Sequence, residues 1–511
     1  MTGYAIDLDL SLNQQEEMLH KAVETCNRKH DLLELPDGSL GRVVDKHGEF
    51  VYHPFREERL NSFLMNWVVP SKKTLKKNAD NSTSWQTRPE TAIPQTLLRA
   101  YIGAEAHPGV PRVTRMAPAP IVRPMWTLAW EQGYDPDSET FVTRKAPVTP
   151  AWRDRPIEQK EVRVAAGRLM EWFDEFALKH ESSRADCLAL ALTPLIVSAI
   201  PTATIPGGLV MANRQGSGKT ALAEVIGTMG SGAKPDAQAL PGEAEIEKRI
   251  TATLRDGDAG VVLFDNIKHD LNSPSLESVL TSRSFTGRVL GRSEKIRLKN
   301  NVTWLFTMNG ASASPDMLRR LILIPLDLES PTRTAWSGGV VDRARMMADD
   351  LRMDLVLLIA YWVQQGCTQG SVVKSGYETW SRTVSGILEA AGVKGFYEAH
   401  EETAGSVYTE DEDDADVVAR IAKVMGTEET WQAKDLWERV DQVDALNTPE
   451  GRFLHEWLRD TPKGSKMAAG RKLARITRRY YNYELRNVGT KGGAWYRLAP
   501  VGAPAIQKWS M

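Results

Sequence analysis

Residues Asn213-Arg214-Gln215-Gly216-Ser217-Gly218-Lys219-Thr220 set glycines, a lysine and a hydroxyl in the order that a phosphate-binding turn needs. Glycines let main-chain amides approach an anion, and a helix N-terminus behind the turn adds partial positive charge. Lys219 has the reach to contact β- and γ-phosphate oxygens, and the Thr220 hydroxyl suits Mg²⁺. Asn213, Gly216, Ser217 and Gly218 would complete the cradle for ATP. Such turns usually open with glycine. Asn213 stands there instead, and asparagine tolerates left-handed backbone better than most residues. The bland alternative is a glycine-rich turn that binds nothing. Context argues against it. The run Gly207–Ala212 reads as a strand leading in, and Leu222, Val225, Ile226 and Met229 recur at helical spacing behind.

Further groups follow in an order that fits nucleotide hydrolysis. The apolar run Ala259–Phe264 ends in Asp265, which puts a carboxylate at a strand's C-terminal edge, where it can organise a Mg²⁺ shell. Next comes Asn266, where many ATPases carry an acid. An amide can orient water but cannot take its proton. A third apolar run, Val302–Met308, ends in Asn309, an amide placed to contact a γ-phosphate or its water. An Asn-Gly pair alone is usually a turn. Arg319 and Arg320, ahead of the strand-like Leu321–Ile324, suit an arginine finger reaching a neighbouring subunit's ATP. A structural ion pair is the competing role, and Arg320 is the better candidate for the finger.

Two basic segments point to nucleic acid. Arg288, Arg292, Lys295, Arg297 and Lys299 alternate with apolar residues and read as a short hairpin with cations near its tip. Lys295 and Arg297 are the leading backbone contacts; a solvated basic hairpin is the alternative. Near the C-terminus, Ser465–Tyr480 reads as an amphipathic helix with Arg471, Arg475 and Arg478 on one face. Beyond it, strands around Leu485 and Tyr496 flank Lys491. Helix plus basic hairpin reads as a winged helix, a module that binds DNA or protein.

In sequence order, Gly216-Ser217-Gly218-Lys219-Thr220, Phe264-Asp265-Asn266, Asn309 and Arg319-Arg320 resemble AAA+ ATPases. More narrowly, they are similar to the superfamily III type helicases encoded by phages, plasmids and integrated mobile elements. The segment Ser282–Glu294, and Arg123-Pro124 with Gly133-Tyr134-Asp135, share that likeness, which covers roughly residues 120–330. The resemblance implies a P-loop core, ATP and Mg²⁺ bound between subunits of a ring, expected to be a hexamer, and a basic hairpin gripping single-stranded or forked DNA. It implies replication work in the cytoplasm of a bacterial host. Asn213 and Asn266 depart from the pattern. Two other classes stay open: a non-unwinding replication initiator or helicase loader, and a nucleotide-gated assembly module.

Several elements must position these groups. The fold class is α/β: a parallel-sheet ATPase core with flanking helices, a small mixed N-terminal domain and a C-terminal winged helix. Residues 1–150 form the mixed domain, with a hairpin at Arg42–Tyr52 and a polar, mobile loop at 71–92. The pair Ile6-Asp7-Leu8-Asp9 spaces two acids as polymerase metal sites do, without supporting strands, and reads as solvated strand or coil. Residues 158–335 hold the ATPase core and its preceding helical segment, 336–397 a helical lid, 398–416 an acidic linker and 417–500 the winged helix. A chain of 511 residues suggests about three or four domains. A net charge of −2 excludes a uniformly basic protein, so nucleic-acid affinity must be local. Cys26, Cys187 and Cys367 are far apart and fit a reduced interior without disulfides. The N-terminus lacks the pattern of a signal peptide. The longest apolar run, Cys187–Ile200, is too short to span a membrane and reads as a buried helix.

Overall fold

Near-continuous apolar runs become parallel strands buried on both faces. Four of them, with the short and largely exposed Ala237–Ala239 added at one end, form one sheet in the order Ala237–Ala239, Val261–Ile267, Thr303–Asn309, Gly207–Ala212, Leu321–Leu326, and every neighbouring pair is parallel. Gly207–Ala212 and Leu321–Leu326 are buried at every residue. In this computed structural model the described residues are 3–212, 216–267, 271–288, 295–309, 313–327, 339–427, 429–459, 466–476, 483–489 and 494–500. Side chains are not described at 288, 315, 405–415, 466–469, 475, 483–484 and 500. The chain divides into two compact units, residues 1–400 and 401–511.

In the first unit, helices Ser183–Ile196, Lys219–Ser231, Ala348–Gln364 and Glu378–Ala390 share one apolar core with the sheet. Ser183–Ile196 is the expected buried helix; every residue but Arg184 is buried. It lies so close to the sheet that a side chain on Gly208 would collide with Leu190. Arg352 is fully buried and donates to the carbonyls of Gly230, Pro118 and Pro120, tying the Ala348–Gln364 helix to the end of helix Lys219–Ser231 and to the segment around Pro118 and Pro120.

The N-terminal part has its own core around Ile6, Leu19, Leu60, Leu97 and Tyr101. Strands Leu40–Lys46 and Glu49–Pro54 form the expected hairpin, turning at His47 and Gly48, both at positive φ. Two expectations are corrected here. Residues 71–92 are not a loop: Val68–Lys77 and Thr83–Pro89 pair as an antiparallel hairpin. Almost every residue from Lys72 onward is exposed, so no buried face imposed an apolar alternation on the sequence. The acid pair at Asp7 and Asp9 does have supporting strands, because Tyr4–Asp7 runs parallel to the start of Val68–Lys77. The carboxylates are engaged by main chain: Asp7 accepts from the Asp9 amide at 3.0 Å and Asp9 from the Lys73 amide at 2.7 Å.

The second unit begins at Glu401, within helix His400–Met425. Much of the acidic stretch read as a linker therefore lies in a helix. Glu401 and Glu402 in its first turn complement the helix dipole, and Arg420 pairs with Asp416 one turn earlier at 2.6 Å. Helices Ala433–Val440, Pro449–Arg459 and Lys466–Arg475 pack with a three-stranded sheet, Thr430–Gln432, Trp495–Pro500, Tyr483–Gly489, around Leu436, Leu454, Leu473 and Leu498. Trp431 lies in the short first strand.

Candidate functional site

A parallel sheet puts the carboxyl ends of all its strands on one edge. Gly207–Ala212 has Thr303–Asn309 on one side and Leu321–Leu326 on the other, so the chain leaves it one way and returns on the other side. Such a switch point opens a crevice where α/β proteins bind ligands. The register completes the arrangement. Ala212 is level with Asn309, and Lys219 opens the helix that comes next after Ala212 among the described elements. Asp265 lies near the carboxyl end of the next strand but one, Val261–Ile267.

Gly216 and Gly218 have φ of 73° and 84°, a left-handed conformation that a side chain would strain. Gly218 caps helix Lys219–Ser231, whose free amides face the turn. Lys219 is only 7% exposed. Its Nζ donates to Ser217 Oγ at 2.9 Å and to Asn309 Oδ1 at 2.5 Å. Desolvation pushes its pKa below the usual lysine value, and the nearby Asp265 charge works against that shift. The ammonium is thus held, partly desolvated, at the tip of the Asn309 strand.

Thr220 Oγ1 donates to Asp265 Oδ1 at 2.7 Å. Thr307 Oγ1 donates to the same oxygen at 2.5 Å and accepts from the Asn266 amide at 2.8 Å. Thr307 was not picked out from the sequence. The signal was there: residues 305, 307 and 309 share one face of their strand, so a hydroxyl two residues before Asn309 points the same way. Asn266 sits at φ 53°, where the pairing register between its strand and Thr303–Asn309 is interrupted, and is exposed. The bulge turns the chain just past Asp265.

The two arginines lie elsewhere. Gly207 N donates to Arg320 O at 3.0 Å, and Gly207 pairs with Leu321. Arg319 and Arg320 therefore stand at the amino edge of the sheet, opposite Lys219. Arg320, the preferred finger from sequence, has a side chain 22% exposed that donates to the Asp316 carbonyl and lies 4.0 Å from Glu277. Arg319 is 72% exposed and paired with Asp316.

Strands Ser284–Arg288 and Lys295–Lys299 pair antiparallel, as the basic pattern predicts. Leu298 is buried, while Lys295, Arg297 and Lys299 lie along the opposite, exposed face. Lys299 is held by Glu139 at 2.5 Å, and Arg297 Nε donates to Ser284 Oγ at 2.9 Å. Arg283 anchors the base of the hairpin by donating to the carbonyls of Pro201, Asn300 and Val197. Upstream, Arg123 and the buried Asp135 are joined at 2.7 Å, so the two ends of that resemblance meet. In the second unit, Arg471 is exposed on a helix that buries Leu473. Asn213, Arg292, Arg478 and Lys491 lie outside the described residues, as do the side chains of Arg288 and Arg475.

No protein-family pattern matches the chain, and no curated protein does. Among solved structures it is similar to the A form apo structure of the NrS-1 C terminal region, at 10% identity and a TM-score of 0.36, over 95% of this chain and 98% of that one. The apo structure of the NrS-1 C terminal region (305-718) gives 12% identity and a TM-score of 0.33 over the same shares. The likeness is distant and carries no functional argument. Among the described residues, no helix is long and apolar enough to cross a membrane.

Proposed function

We propose that the chain is an ATP-dependent DNA helicase of AAA+ type, similar to the superfamily III enzymes of phages and mobile elements, acting as a ring in a bacterial host's cytoplasm. One observation carries the proposal: Lys219, Thr220, Asp265 and Asn309 interlock by hydrogen bonds at the carboxyl edge of a parallel sheet, beside a turn whose glycines need positive φ. In this reading the strand, turn and helix from Gly207 to Ser231 are a P-loop. The turn amides and helix N-terminus hold the phosphates of ATP, and the Lys219 ammonium reaches toward the β and γ oxygens.

Thr220 and Asp265 suit Mg²⁺, which takes few protein oxygens beside substrate phosphates. Bound there, the ion would neutralise charge on the phosphates. Thr307 fixes the Asp265 carboxylate. The Asn309 carboxamide steers the lysine and offers its N–H group to the γ-phosphate or the attacking water. Asn266 can orient that water without deprotonating it, which phosphoryl transfer tolerates because positioning and electrostatics dominate.

The arginine finger must come from another copy. A six-residue strand is roughly 20 Å long, and Arg319 lies at its far end from the same chain's Lys219. Arg319, the exposed one, takes this role and Arg320 braces the corner. That geometry favours an oligomer with ATP between subunits, and a hexamer is the expectation from the resemblance. Lys295 and Arg297 would contact the DNA backbone, and the 417–500 region, as a winged helix, would add Arg471, Arg475, Arg478 and Lys491.

The test is equilibrium binding of a fluorescent ATP analogue with Mg²⁺. The wild-type chain should bind and Lys219→Ala should bind far more weakly. Equal binding by both would contradict the site. Asn266 favours one second reading, a slowly hydrolysing initiator or loader that binds ATP and DNA without unwinding.

A further inference from the structure

The hairpin Val68–Lys77/Thr83–Pro89 belongs to none of the chemistry above. Its first strand has Tyr4–Asp7 beside it only as far as the pair Asp7–Ser71, and the Lys73 amide is then taken by Asp9. From there on, among the described residues, the two strands pair only with each other, from Thr74–Gln86 to Lys77–Thr83. A bare two-stranded ribbon is marginal in water. This one nevertheless exposes large apolar groups. Leu75 and Trp85 are direct cross-strand partners and are 54% and 69% exposed.

Strand alternation sorts the rest. Lys73 and Lys77 flank Leu75 on the Trp85 face, while Lys72, Lys76 and Arg88 lie on the other. Residues 68–89 carry five cations against a single carboxylate, Asp80, in a chain whose net charge is −2. That carboxylate is occupied within the turn, accepting from the Ser82 amide at 3.0 Å and the Ser82 hydroxyl at 2.5 Å. The Trp85 face is thus an indole on a leucine with an ammonium on either side along the strand.

We infer that this ribbon is a binding surface for single-stranded nucleic acid: an unstacked base lies on Trp85 and Leu75, and Lys73 and Lys77 take the phosphates on either side. Charge selects a polyanion. An exposed indole selects one with free aromatic faces, which a single strand has and a duplex keeps stacked. Such binding is insensitive to sequence and sensitive to salt. It is separate from the Lys295–Arg297 hairpin and does not depend on nucleotide hydrolysis.

The test uses the full chain without nucleotide, and the anisotropy of a labelled oligo-dT and of a duplex of equal length. Trp85→Ala should weaken oligo-dT binding roughly 5- to 100-fold, the effect of losing one stacked base, and Trp85→Phe should restore most of it. Lys73→Ala with Lys77→Ala should lower the slope of log affinity against log salt by about 1.4, at about 0.7 per phosphate contact. Basal ATP hydrolysis should be unchanged in each variant. The Trp85→Ala effect should persist when Lys295 and Arg297 are both alanine. Unchanged oligo-dT affinity in Trp85→Ala, or an equal loss on the duplex, would overturn the assignment even if ATP hydrolysis behaves as proposed.

Discussion

The carboxyl edge of the parallel sheet and the Val68–Pro89 ribbon hold their polar groups in opposite ways. At the sheet edge each group is fixed by another: Lys219 by Ser217 and Asn309, Asp265 by Thr220 and Thr307. On the ribbon, lysines and a tryptophan stand in solvent on two strands with little behind them. The first arrangement is preorganised, as the proposed ATP-hydrolysing site would need to be to stabilise charge developing in a transition state. The second suits a long, flexible polyanion whose contacts are individually replaceable. Substitutions at the sheet edge should therefore change catalysis steeply, and those on the ribbon should change affinity alone.

The largest effect is expected far from the edge itself. Arg319→Ala should lower ATP hydrolysis about 10³-fold, the lower end of what an arginine finger contributes, and leave nucleotide binding intact. Mixing Arg319→Ala chains with Lys219→Ala chains should recover part of the activity, because some interfaces then join an intact finger to an intact lysine. No recovery, with Arg319→Ala near wild type, would remove the shared site. Arg320→Ala should instead lower thermal stability, since its side chain braces the Asp316 corner.

Thr307→Val sharpens the contrast within the site. It keeps the shape of a buried β-branched residue and removes the hydrogen bond to Asp265 together with the one accepted from the Asn266 amide. A roughly 10- to 100-fold fall in kcat with little change in KM is expected if Asp265 holds Mg²⁺ as proposed, since Thr307 would then orient a metal ligand. A change confined to stability would make Thr307 part of the core only.

The smallest effect concerns a carboxylate that neither region uses. Asp186 is 3% exposed and accepts from the Tyr397 amide at 2.8 Å, and burial pushes its pKa up to about 7. A raised pKa means that the folded state holds the proton more tightly. Its stabilising contribution is complete below about pH 4 and is lost as pH rises through about 7. Asp186→Asn keeps an acceptor and cannot ionise. Its melting temperature relative to wild type should climb between pH 5 and pH 8, measured by thermal denaturation; a constant difference would contradict this.

The same contrast explains what the sequence disclosed. Val261–Phe264 and Thr303–Met308 are apolar runs ending in Asp265 and Asn309, and burial on both sides left that pattern plain. Thr307 stayed hidden because a threonine inside such a run is also an ordinary core residue until its partner strand is known. The ribbon was hidden for the opposite reason. With both faces in water its strands show no apolar alternation, and Lys, Asn, Ser and Thr read as loop. Arg319 and Arg320 are adjacent and alike in chemistry; only the turn into Leu321 decides which is exposed. The positive φ of Asn266 and the bulge beside it are products of pairing and leave no mark on one strand's sequence.

The most direct test of the proposed function is ATP hydrolysis with and without single-stranded DNA, run beside strand displacement on a forked duplex, with Lys219→Ala as control. The helicase reading predicts hydrolysis stimulated by DNA, unwinding that requires ATP, and neither in Lys219→Ala. Hydrolysis without unwinding would point to an initiator or loader, and hydrolysis indifferent to DNA, or undiminished in Lys219→Ala, would contradict the account.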